Sequence, residues 1–139
     1  MSKDLSRVVE FISDHHVMSL ATSDKDGELS ICSLFYVYDD KSNTFIVASS
    51  PDTTHIKNIQ TNPDVAFNIL LETKEIGKIQ GLQSSGTFLA LEDSGLKKLY
   101  FLKYPYALAM NPKLWRIDVK KFKYTDNRLG FSKKIKIEF

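Results

Sequence analysis

The sequence has few of the residues that cross-link or anchor a small protein. Its single cysteine, Cys32, excludes an intramolecular disulfide and any metal site built from several cysteines. No stretch approaches the ~20 apolar residues of a membrane span. The first residues, MSKDLSRVVEF, are charged and contain no apolar run of the kind found in signal peptides. These absences lead us to expect a soluble, cytoplasmic protein.

An excess of charge of one sign is also absent. The chain has 19 Lys and Arg against 17 Asp and Glu, and a net charge of +2 is too small to indicate a nucleic-acid or membrane partner. There is no Gly-x-Ser-x-Gly, no Walker or Rossmann glycine pattern and no paired His or Cys at zinc-binding spacing. We therefore expect no metal site. His15 and His16 are interpreted as residues that end the first helix, where a cation favours the helix dipole.

What is present indicates one ordinary globular domain spanning residues 1–139. Hydrophobic residues make up 42% of the chain, and we find no internal repeat, low-complexity tract or linker. Helical spacing of apolar residues predicts an amphipathic helix over 3–15 with Ser2 as its N-cap. Alternating or continuous apolar runs predict strands over 17–23, 28–39, 44–48, 65–71, 79–90 and 115–124, with further alternation at 135–139.

Short polar turns such as Asp26-Gly27 join the first strands, which favours antiparallel pairing. About six such strands with so little helix cannot lie flat with both faces covered, so we expect a closed barrel. Gly81 and Gly86 interrupt one strand and predict a bulge or a close approach of backbone or ligand. The interior of so small a barrel is filled by side chains, which makes a dimer interface the natural place for a cofactor pocket.

The stretch 44–63, TFIVASSPDTTHIKNIQTNP, reads as a strand, a hydroxyl-rich loop and a short helix. Hydrogen-bond donors crowd the start of that helix: Ser49, Ser50, Thr53, Thr54 and His55. Together with the free amides of a helix N-terminus, they suit a phosphate group. The alternative is an ordinary strand–helix junction in which Ser50 or Asp52 is the N-cap and the hydroxyls serve turn formation.

The order of these segments resembles the pyridoxamine 5′-phosphate oxidase-like FMN-binding split barrels. The matching pieces are the Leu-Ala-Thr strand, the Asp-x-Gly turn, the strand ending in Phe-Tyr-x-Tyr-Asp, the Ser/Thr loop and the helix ending in Asn-Pro. The run Thr125-Asp126-Asn127-x-Leu129-Gly130-Phe131-x-Lys133-Lys134 resembles the YhbP-like branch, which has no assigned reaction. The resemblance covers nearly the whole chain. It implies a mainly β (α+β) fold, a six-stranded antiparallel Greek-key split β-barrel with flanking short helices.

The resemblance also implies a homodimer that holds two FMN molecules non-covalently at the subunit interface. The flavin ring would lie against the end of the second strand, at Ser33, Leu34, Phe35 and Tyr36, mainly through backbone groups. The phosphate would lie at Ser49, Ser50, Thr53, Thr54 and His55. Many members of the family carry Lys or Arg at the position of His55. Three more residues are implied near the cofactor: Gln83 and Trp115 along the open face of the ring, and Lys133 from the partner subunit.

These residues predict an FMN-binding flavoprotein, with oxidoreductase as the leading activity and an unknown small molecule as substrate. A cofactor that carries the redox chemistry leaves no need for a catalytic side chain that sequence could reveal. Two alternatives stay open, a flavin- or small-anion-binding module without turnover and a dimeric scaffold without cofactor. No nucleic acid or membrane is expected as a partner.

Overall fold

A computed structural model describes residues 1–130 and 133–139 of the chain; Phe131 of the C-terminal motif lies outside them. The strands are β1 (Val17–Ser23), β2 (Leu29–Asp39), β3 (Thr44–Ala48), β4 (Asp64–Leu70), β5 (Gln80–Ala90), β6 (Leu114–Asp126) and β7 (Lys134–Glu138). The α-helices are α1 (Lys3–Ser13), α2 (Thr54–Thr61) and α3 (Ser94–Lys103). Short 3₁₀ helices cover Ile76–Lys78, Pro105–Met110 and Asn127–Leu129.

The strands form a closed barrel with one added strand. Their order is β3-β2-β1-β4-β5-β6-β7, and pairing of β3 with β6 closes the sheet. Every neighbouring pair is antiparallel. β1–β6 therefore make the predicted six-stranded Greek-key split barrel, which is confirmed, and β7 extends the sheet along β6.

β6 changes its partner halfway along its length. Residues 114–118 pair with β3, whereas residues 121–125 pair with β7. Between these halves the register with β5 shifts at Ser85 and Gly86. A Cβ atom on Gly86 would lie 2.4 Å from the carbonyl oxygen of Asp118, so only glycine allows the two backbones to come this close. The bulge predicted at this glycine is confirmed.

Aromatic and aliphatic side chains fill the barrel interior. The Phe45 ring centroid lies 4.9 Å from that of Phe67, 5.3 Å from that of Tyr36 and 6.5 Å from that of Phe122. All four side chains are almost fully buried. A smaller cluster around Tyr100 forms under α3. Because the interior is filled, a ligand of appreciable size has to bind on the outside of the barrel.

Two helices are fixed to the barrel by specific contacts. The Ser2 side chain accepts a hydrogen bond from the Leu5 amide at 3.1 Å, and α1 buries Phe11 among other residues. In α2 the Asn58 side chain donates to the Thr22 hydroxyl at 3.0 Å. This bond fixes α2 against β1. None of the described helices combines the length and the apolarity needed to cross a lipid bilayer.

The outer surface of the sheet changes character from one side to the other. On β2, Leu29, Ile31 and Phe35 are 78%, 76% and 53% exposed. Further along the same outer surface, β6 and β7 carry exposed lysines, which we call the lysine face: Lys121, Lys123, Lys134 and Lys136. The sheet therefore presents an apolar region and a cationic region on the outside of one barrel.

Candidate functional site

The turn between β3 and α2, residues 49–55, is held against the start of β6. The Trp115 Nε1–H donates to the carbonyl oxygen of Ser49 at 2.9 Å. The Ser49 amide donates in turn to the carbonyl oxygen of Lys113 at 3.1 Å. These two bonds cross from β3 to β6, which pair along the barrel seam. The β3–α2 turn is thus fixed by the same pairing that closes the barrel.

Three side chains in the turn meet in one cluster. The Ser49 Oγ lies 2.5 Å from His55 Nε2, and the Thr53 Oγ1 lies 3.4 Å from the same nitrogen. The Thr53 hydroxyl donates to the carbonyl oxygen of Ser50 at 2.9 Å. The Ser50 hydroxyl donates to the Asp52 carboxylate. With the Thr53 and Ser50 hydroxyls committed, the Ser49–His55 pair is the part of the cluster that can still offer a donor to an oxyanion.

Thr53, and neither Ser50 nor Asp52, is the N-cap of α2, so the N-cap named in the alternative interpretation is wrong. Ser50 and Asp52 bond to each other instead, which removes both from the helix terminus. The Thr53 side chain makes no capping hydrogen bond. The first amides of α2, beginning at Thr54, therefore have neither an intrahelical acceptor nor a side-chain cap. An anion is the ligand that such amides favour.

The residues of the turn supply no positive charge to an anion. Burial lowers the pKa of His55, so the imidazole is neutral at pH 7. The Ser50 hydroxyl lowers the pKa of Asp52, which remains a carboxylate. A positive charge comes instead from outside the turn. The Lys113 ammonium lies 4.5 Å from the centroid of the Trp115 ring.

Lys113 shares a groove with the turn. The groove has a volume of about 450 Å³ and is lined by residues 48–51 and 110–113. Sequence reasoning missed Lys113 because it lies 64 residues from Ser49 and carries no motif. Only the β3–β6 pairing brings the two together. The groove thus combines the hydroxyl of Ser49 with a cation.

Of the β2 residues predicted to contact the flavin ring, Ser33 and Phe35 are exposed and Leu34 is half-buried. The structure contradicts the predicted flavin contact of Tyr36, because its backbone and its side chain both form hydrogen bonds inside the protein. Its amide donates to His16 and its carbonyl oxygen accepts from the Tyr104 hydroxyl at 2.7 Å. Its own hydroxyl donates to a carbonyl oxygen of α1. Tyr36 therefore has no backbone group left for a ligand.

The structure also contradicts the prediction that Trp115 lines the open face of the flavin ring. Its side chain is only 4% exposed, with the Phe88 ring centroid at 5.9 Å and the Lys113 ammonium over it. A ring covered in this way cannot form the open wall of a cofactor site. Its place in the structure is to support the carbonyl of Ser49. The alternation of β6 gave no indication of this, since a tryptophan suits a pocket wall and a core equally well.

Gln83 and Lys133 lie away from the β3–α2 turn within one chain. Gln83 is exposed on the outer surface of β5, directly opposite Asn68 on β4 and Lys123 on β6. Lys133 is exposed just before β7, and its amide donates to the Gly130 carbonyl oxygen at 3.0 Å. Neither side chain has a contact with residues 49–55 among the described hydrogen bonds. The predicted site residues thus form two groups on separate parts of the barrel.

The remaining ligand-type residues are used in other ways. His15 Nδ1 lies 2.7 Å from the carbonyl oxygen of Phe11, where it donates to the last turn of α1. Cys32 packs partly buried against the core, and burial raises the pKa of its thiol. Within residues 1–130 and 133–139, no group of three His, Cys, Asp or Glu side chains is arranged to hold a metal ion.

Comparison with known proteins identifies the family. The sequence profile described as pyridoxamine 5′-phosphate oxidase matches residues 5–125. A UPF0306 protein of Campylobacter jejuni is 35% identical over 130 residues, which cover 93% of this chain and 94% of that protein. The UPF0306 protein YhbP of Escherichia fergusonii is 29% identical, with 94% of this chain and 90% of that protein covered.

The same fold occurs in a solved heme binding protein from Mycobacterium smegmatis. Its TM-score is 0.80 at 14% sequence identity, and the match covers 99% of this chain and 59% of that chain. An identity this low shows the shared fold alone. The profile match and the relatives carry the assignment: the chain belongs to the pyridoxamine 5′-phosphate oxidase family of split barrels and, within it, to the UPF0306 (YhbP) group.

Proposed function

We propose that this chain binds FMN at the β3–α2 turn and works as a flavin-dependent oxidoreductase in a homodimer. The observation that carries the proposal is the N-terminus of α2, whose N-cap Thr53 leaves the first amides uncapped beside Ser49 and His55. Membership of the pyridoxamine 5′-phosphate oxidase family makes a flavin phosphate the anion that best fits these donors. Bound FMN would supply the redox chemistry.

The residues of the turn fit a phosphate by dipoles more than by charge. The amides at the start of α2 can donate hydrogen bonds, whereas the Thr53 hydroxyl already donates to the Ser50 carbonyl oxygen. Ser49 and His55 share one hydrogen bond and keep one further proton to donate, and Lys113 adds a full positive charge from the other wall of the groove. Asp52 opposes an anion, but its carboxylate is directed to the Ser50 hydroxyl.

A homodimer would cover the apolar side of the sheet. Leu29, Ile31 and Phe35 are exposed on the outer surface of β2, and the neighbouring strands carry the small residues Ala21 and Ala66 at matching positions. Small residues beside large exposed ones allow a second sheet to approach closely. In such a dimer, Gln83 and Lys133 of one subunit could complete the site at the turn of the other.

Flavin binding is tested by titrating FMN with purified protein and following the quenching of flavin fluorescence. We expect the Ser49→Ala/Thr53→Ala double variant to bind at least about tenfold more weakly, since the Ser49 donor is lost together with the Thr53 hydrogen bond that holds the turn. Ser6→Ala, on the exposed surface of α1, is the control and should bind as the wild type does. A wild-type protein that fails to quench FMN would contradict the proposal.

Turnover is tested separately from binding. Under anaerobic conditions, NADH or NADPH should bleach the visible absorption of the protein-bound flavin if the chain is an oxidoreductase. Bound flavin that neither nucleotide reduces would instead support a binding module without turnover. Protein that binds no flavin but stays dimeric would support a cofactor-free scaffold.

The dimer is tested by light scattering during gel filtration. Ile31→Asp places a charge in the exposed apolar region of β2, and we expect it to convert a dimer to a monomer. Ile76→Asp is the matched control, because Ile76 is also exposed but lies in a 3₁₀ helix outside that region. A monomeric wild type, or equal effects of the two substitutions, would contradict the predicted interface.

Haem is a second candidate, favoured by the surroundings of His15. The Nδ1–H of His15 donates to Phe11, which leaves Nε2 as the basic nitrogen. His15 lines a groove of about 420 Å³ together with Phe11, Tyr124, Arg7 and Arg128. An imidazole nitrogen can ligate haem iron, and arginines pair with carboxylates such as propionates. The solved protein of the same fold from Mycobacterium smegmatis is a heme binding protein.

Adding hemin and recording the Soret band tests this candidate. The His15→Ala variant should lose the band shift seen with the wild type, whereas His16→Ala should keep it. His16 is an adjacent, exposed histidine and is therefore a matched control. Equal spectra for both variants would exclude His15 as a ligand.

A further inference from the structure

The layer formed by α3 and the 3₁₀ helix Pro105–Met110 has an inner side that attaches it to the barrel. Tyr100 and Tyr104 are buried in a cluster that also contains Val37 of β2 and Ile46 of β3. The Tyr104 hydroxyl donates to a carbonyl oxygen of β2 at 2.7 Å. These contacts explain how the layer is held, and they use only the side that is directed towards the sheet.

The outer side of the same layer is apolar and open to solvent. Leu102 is 76% exposed, Tyr106 is 73% exposed and Leu108 is 61% exposed. Lys98 is also exposed and lies four residues before Leu102, so the two side chains share one side of α3. We call these four residues the α3 outer face. Packing does not require large apolar side chains here, and exposed apolar clusters of this kind mark binding surfaces.

The charge of this part of the chain is one-sided. Residues 94–113 contain four lysines and no aspartate or glutamate. Because the whole chain has a net charge of +2 and this stretch has +4, all other residues together carry −2. Among the described residues, none of the four ammonium groups forms an ion pair. The small net charge of the sequence therefore conceals a cationic region, and that region contains the apolar outer face.

Apolar and cationic side chains in one exposed layer suit a lipid surface better than a protein partner. The cores of protein–protein interfaces are depleted of lysine. In agreement with this, β2 contains no lysine, and its exposed apolar residues form the proposed subunit interface. At a membrane, leucine and tyrosine occupy the boundary between headgroups and acyl chains, while lysine is attracted to anionic headgroups.

We propose that the α3 outer face attaches this protein reversibly to an anionic lipid bilayer. Leu102 and Leu108 enter the boundary between headgroups and acyl chains, and Tyr106 keeps its hydroxyl at the level of the headgroups. Lys98 lies at the charged surface above them. No residue of the α3 outer face lines the groove at the β3–α2 turn, although Met110 nearby does. The proposal goes beyond FMN binding and does not depend on it.

The test is sedimentation of the full-length protein with lipid vesicles, without added flavin. One set of vesicles contains phosphatidylglycerol mixed with phosphatidylcholine, and the other contains phosphatidylcholine alone. We expect the wild type to bind the anionic vesicles at least about tenfold more strongly, because each lysine near the surface adds attraction to anionic headgroups.

The apolar part of the face is tested with Leu102→Ser/Leu108→Ser. We expect this variant to bind anionic vesicles about tenfold or more weakly, because two side chains no longer bury apolar area in the lipid. Leu70→Ser/Ile76→Ser is the matched control, since both of its positions are exposed and lie outside α3 and the 3₁₀ helix that follows it. The control should bind as the wild type does.

The cationic part is tested with Lys97→Gln/Lys98→Gln. We expect binding to anionic vesicles to fall about tenfold, since two charges of the region are removed. Lys3→Gln/Lys41→Gln removes the same charge from exposed positions elsewhere and should change binding little. A general effect of net charge would appear equally in the two variants and would overturn the proposal.

Other results would also overturn it. They are failure of the wild type to bind anionic vesicles, equal binding to both sets of vesicles, and equal loss in Leu102→Ser/Leu108→Ser and its control. Light scattering during gel filtration tests a second copy of the chain as the alternative occupant. If Leu102→Ser/Leu108→Ser converts a dimer to a monomer, the face is a subunit interface. A failure of FMN binding would leave the vesicle results unchanged, so the two proposals can fail separately.

Discussion

The β3–α2 turn and the lysine face offer an anion two different environments. In the turn, Ser49, Thr53 and His55 are fixed by hydrogen bonds to one another, and burial keeps the imidazole neutral at pH 7. On the lysine face, exposed ammonium groups stand on long side chains, and Lys123 directly opposes Lys136. The turn presents oriented dipoles with little net charge, whereas the face presents net charge with little fixed geometry.

The two environments select for different kinds of anion. Oriented amides and hydroxyls select for the shape of an oxyanion, and they lose little strength in salt because they are partly shielded from solvent. Exposed ammonium groups attract any multivalent anion, and salt screens them strongly. We therefore expect the turn to provide the specific, permanent binding that a cofactor needs.

Disturbing the point where β6 changes its partner should have the largest effect. The bulge at Gly86 lies between the half of β6 that pairs with β3, whose far end supports the turn, and the half that pairs with β7 and carries the lysine face. In Gly86→Ala the new Cβ would meet the Asp118 carbonyl oxygen at 2.4 Å and the Ile117 Cγ2 at 2.9 Å. We expect urea unfolding to show a loss of about 3 kcal/mol.

Gly77→Ala is the control for this substitution. A Cβ at Gly77 would have no atom within 4 Å, so the free energy of unfolding should change by less than about 0.5 kcal/mol. If both variants unfold at the same urea concentration, the close approach at Gly86 does not constrain the barrel.

The second prediction concerns the segment between β6 and β7, which supports the lysine face and not the turn. The Asp126 carboxylate is 1% exposed and accepts hydrogen bonds from Arg128 Nε at 3.0 Å and Nη2 at 2.8 Å. Arg128→Leu leaves this carboxylate without its cation. We expect a loss of about 2 kcal/mol at pH 7, moderated by the exposure of the guanidinium.

The pH dependence of this loss has a definite sign. Hydrogen bonds from Arg128 hold the pKa of Asp126 below its ordinary value. The stabilisation is therefore fully present above the unfolded carboxyl pKa of about 3.9 and is lost as the pH falls through the lower folded value. The gap between wild type and Arg128→Leu should narrow below about pH 4. A gap that stays constant in urea unfolding from pH 7 to pH 3 would contradict the role of Asp126.

Much of the fold could be predicted because local pattern and tertiary structure agree in most elements. β1 and β3 have the predicted bounds, since each is a short apolar run between clear turn residues. Ser2 caps α1 as expected, because capping depends only on neighbours in sequence. Gly86 could be identified as a special position because glycine weakens a strand interior and therefore often marks a bulge there.

The candidate site was less predictable because it depends on pairings between distant residues. The bond between Ser50 and Asp52 is local, but it competes with capping by either residue, and the sequence does not decide between the two arrangements. The burial of Trp115 and the position of Lys113 follow from the β3–β6 closure. In the same way, the opposition of like charges on the lysine face exists only in the register of β6 with β7.

Salt should affect anion binding in the two regions to different degrees. Between 50 and 500 mM NaCl, we expect pyrophosphate to bind the wild type about tenfold more weakly, because its contacts on the lysine face are exposed charges. FMN binding should weaken by less than about threefold over the same range, because amides and hydroxyls provide most of its contacts. Fluorescence quenching follows FMN, and isothermal titration follows pyrophosphate. Equal salt dependence for the two ligands would break the distinction between the regions.

The smallest predicted effect concerns the charge of His55. Burial lowers the pKa of this imidazole in the folded protein, so the unfolded chain takes up the proton first as the pH falls. The contribution of His55 to stability is present above the unfolded pKa of about 6.5 and is lost as the pH falls through the folded value. Between pH 7.5 and pH 5.5, the wild type should therefore lose about 1 °C more in Tm than His55→Gln.

An anion bound in the turn should reverse this dependence. Sulfate keeps its charge over the same pH range, and in the turn it would pair with the protonated ring and offset the desolvation that burial imposes. With sulfate present, the wild type should lose no more stability on acidification than His55→Gln does. His16→Gln, which changes an exposed histidine, controls for the general effect of removing an imidazole. If sulfate leaves the pH dependence of the wild type unchanged, the turn does not bind anions through His55, and the hydroxyls and amides would have to hold the flavin phosphate without it.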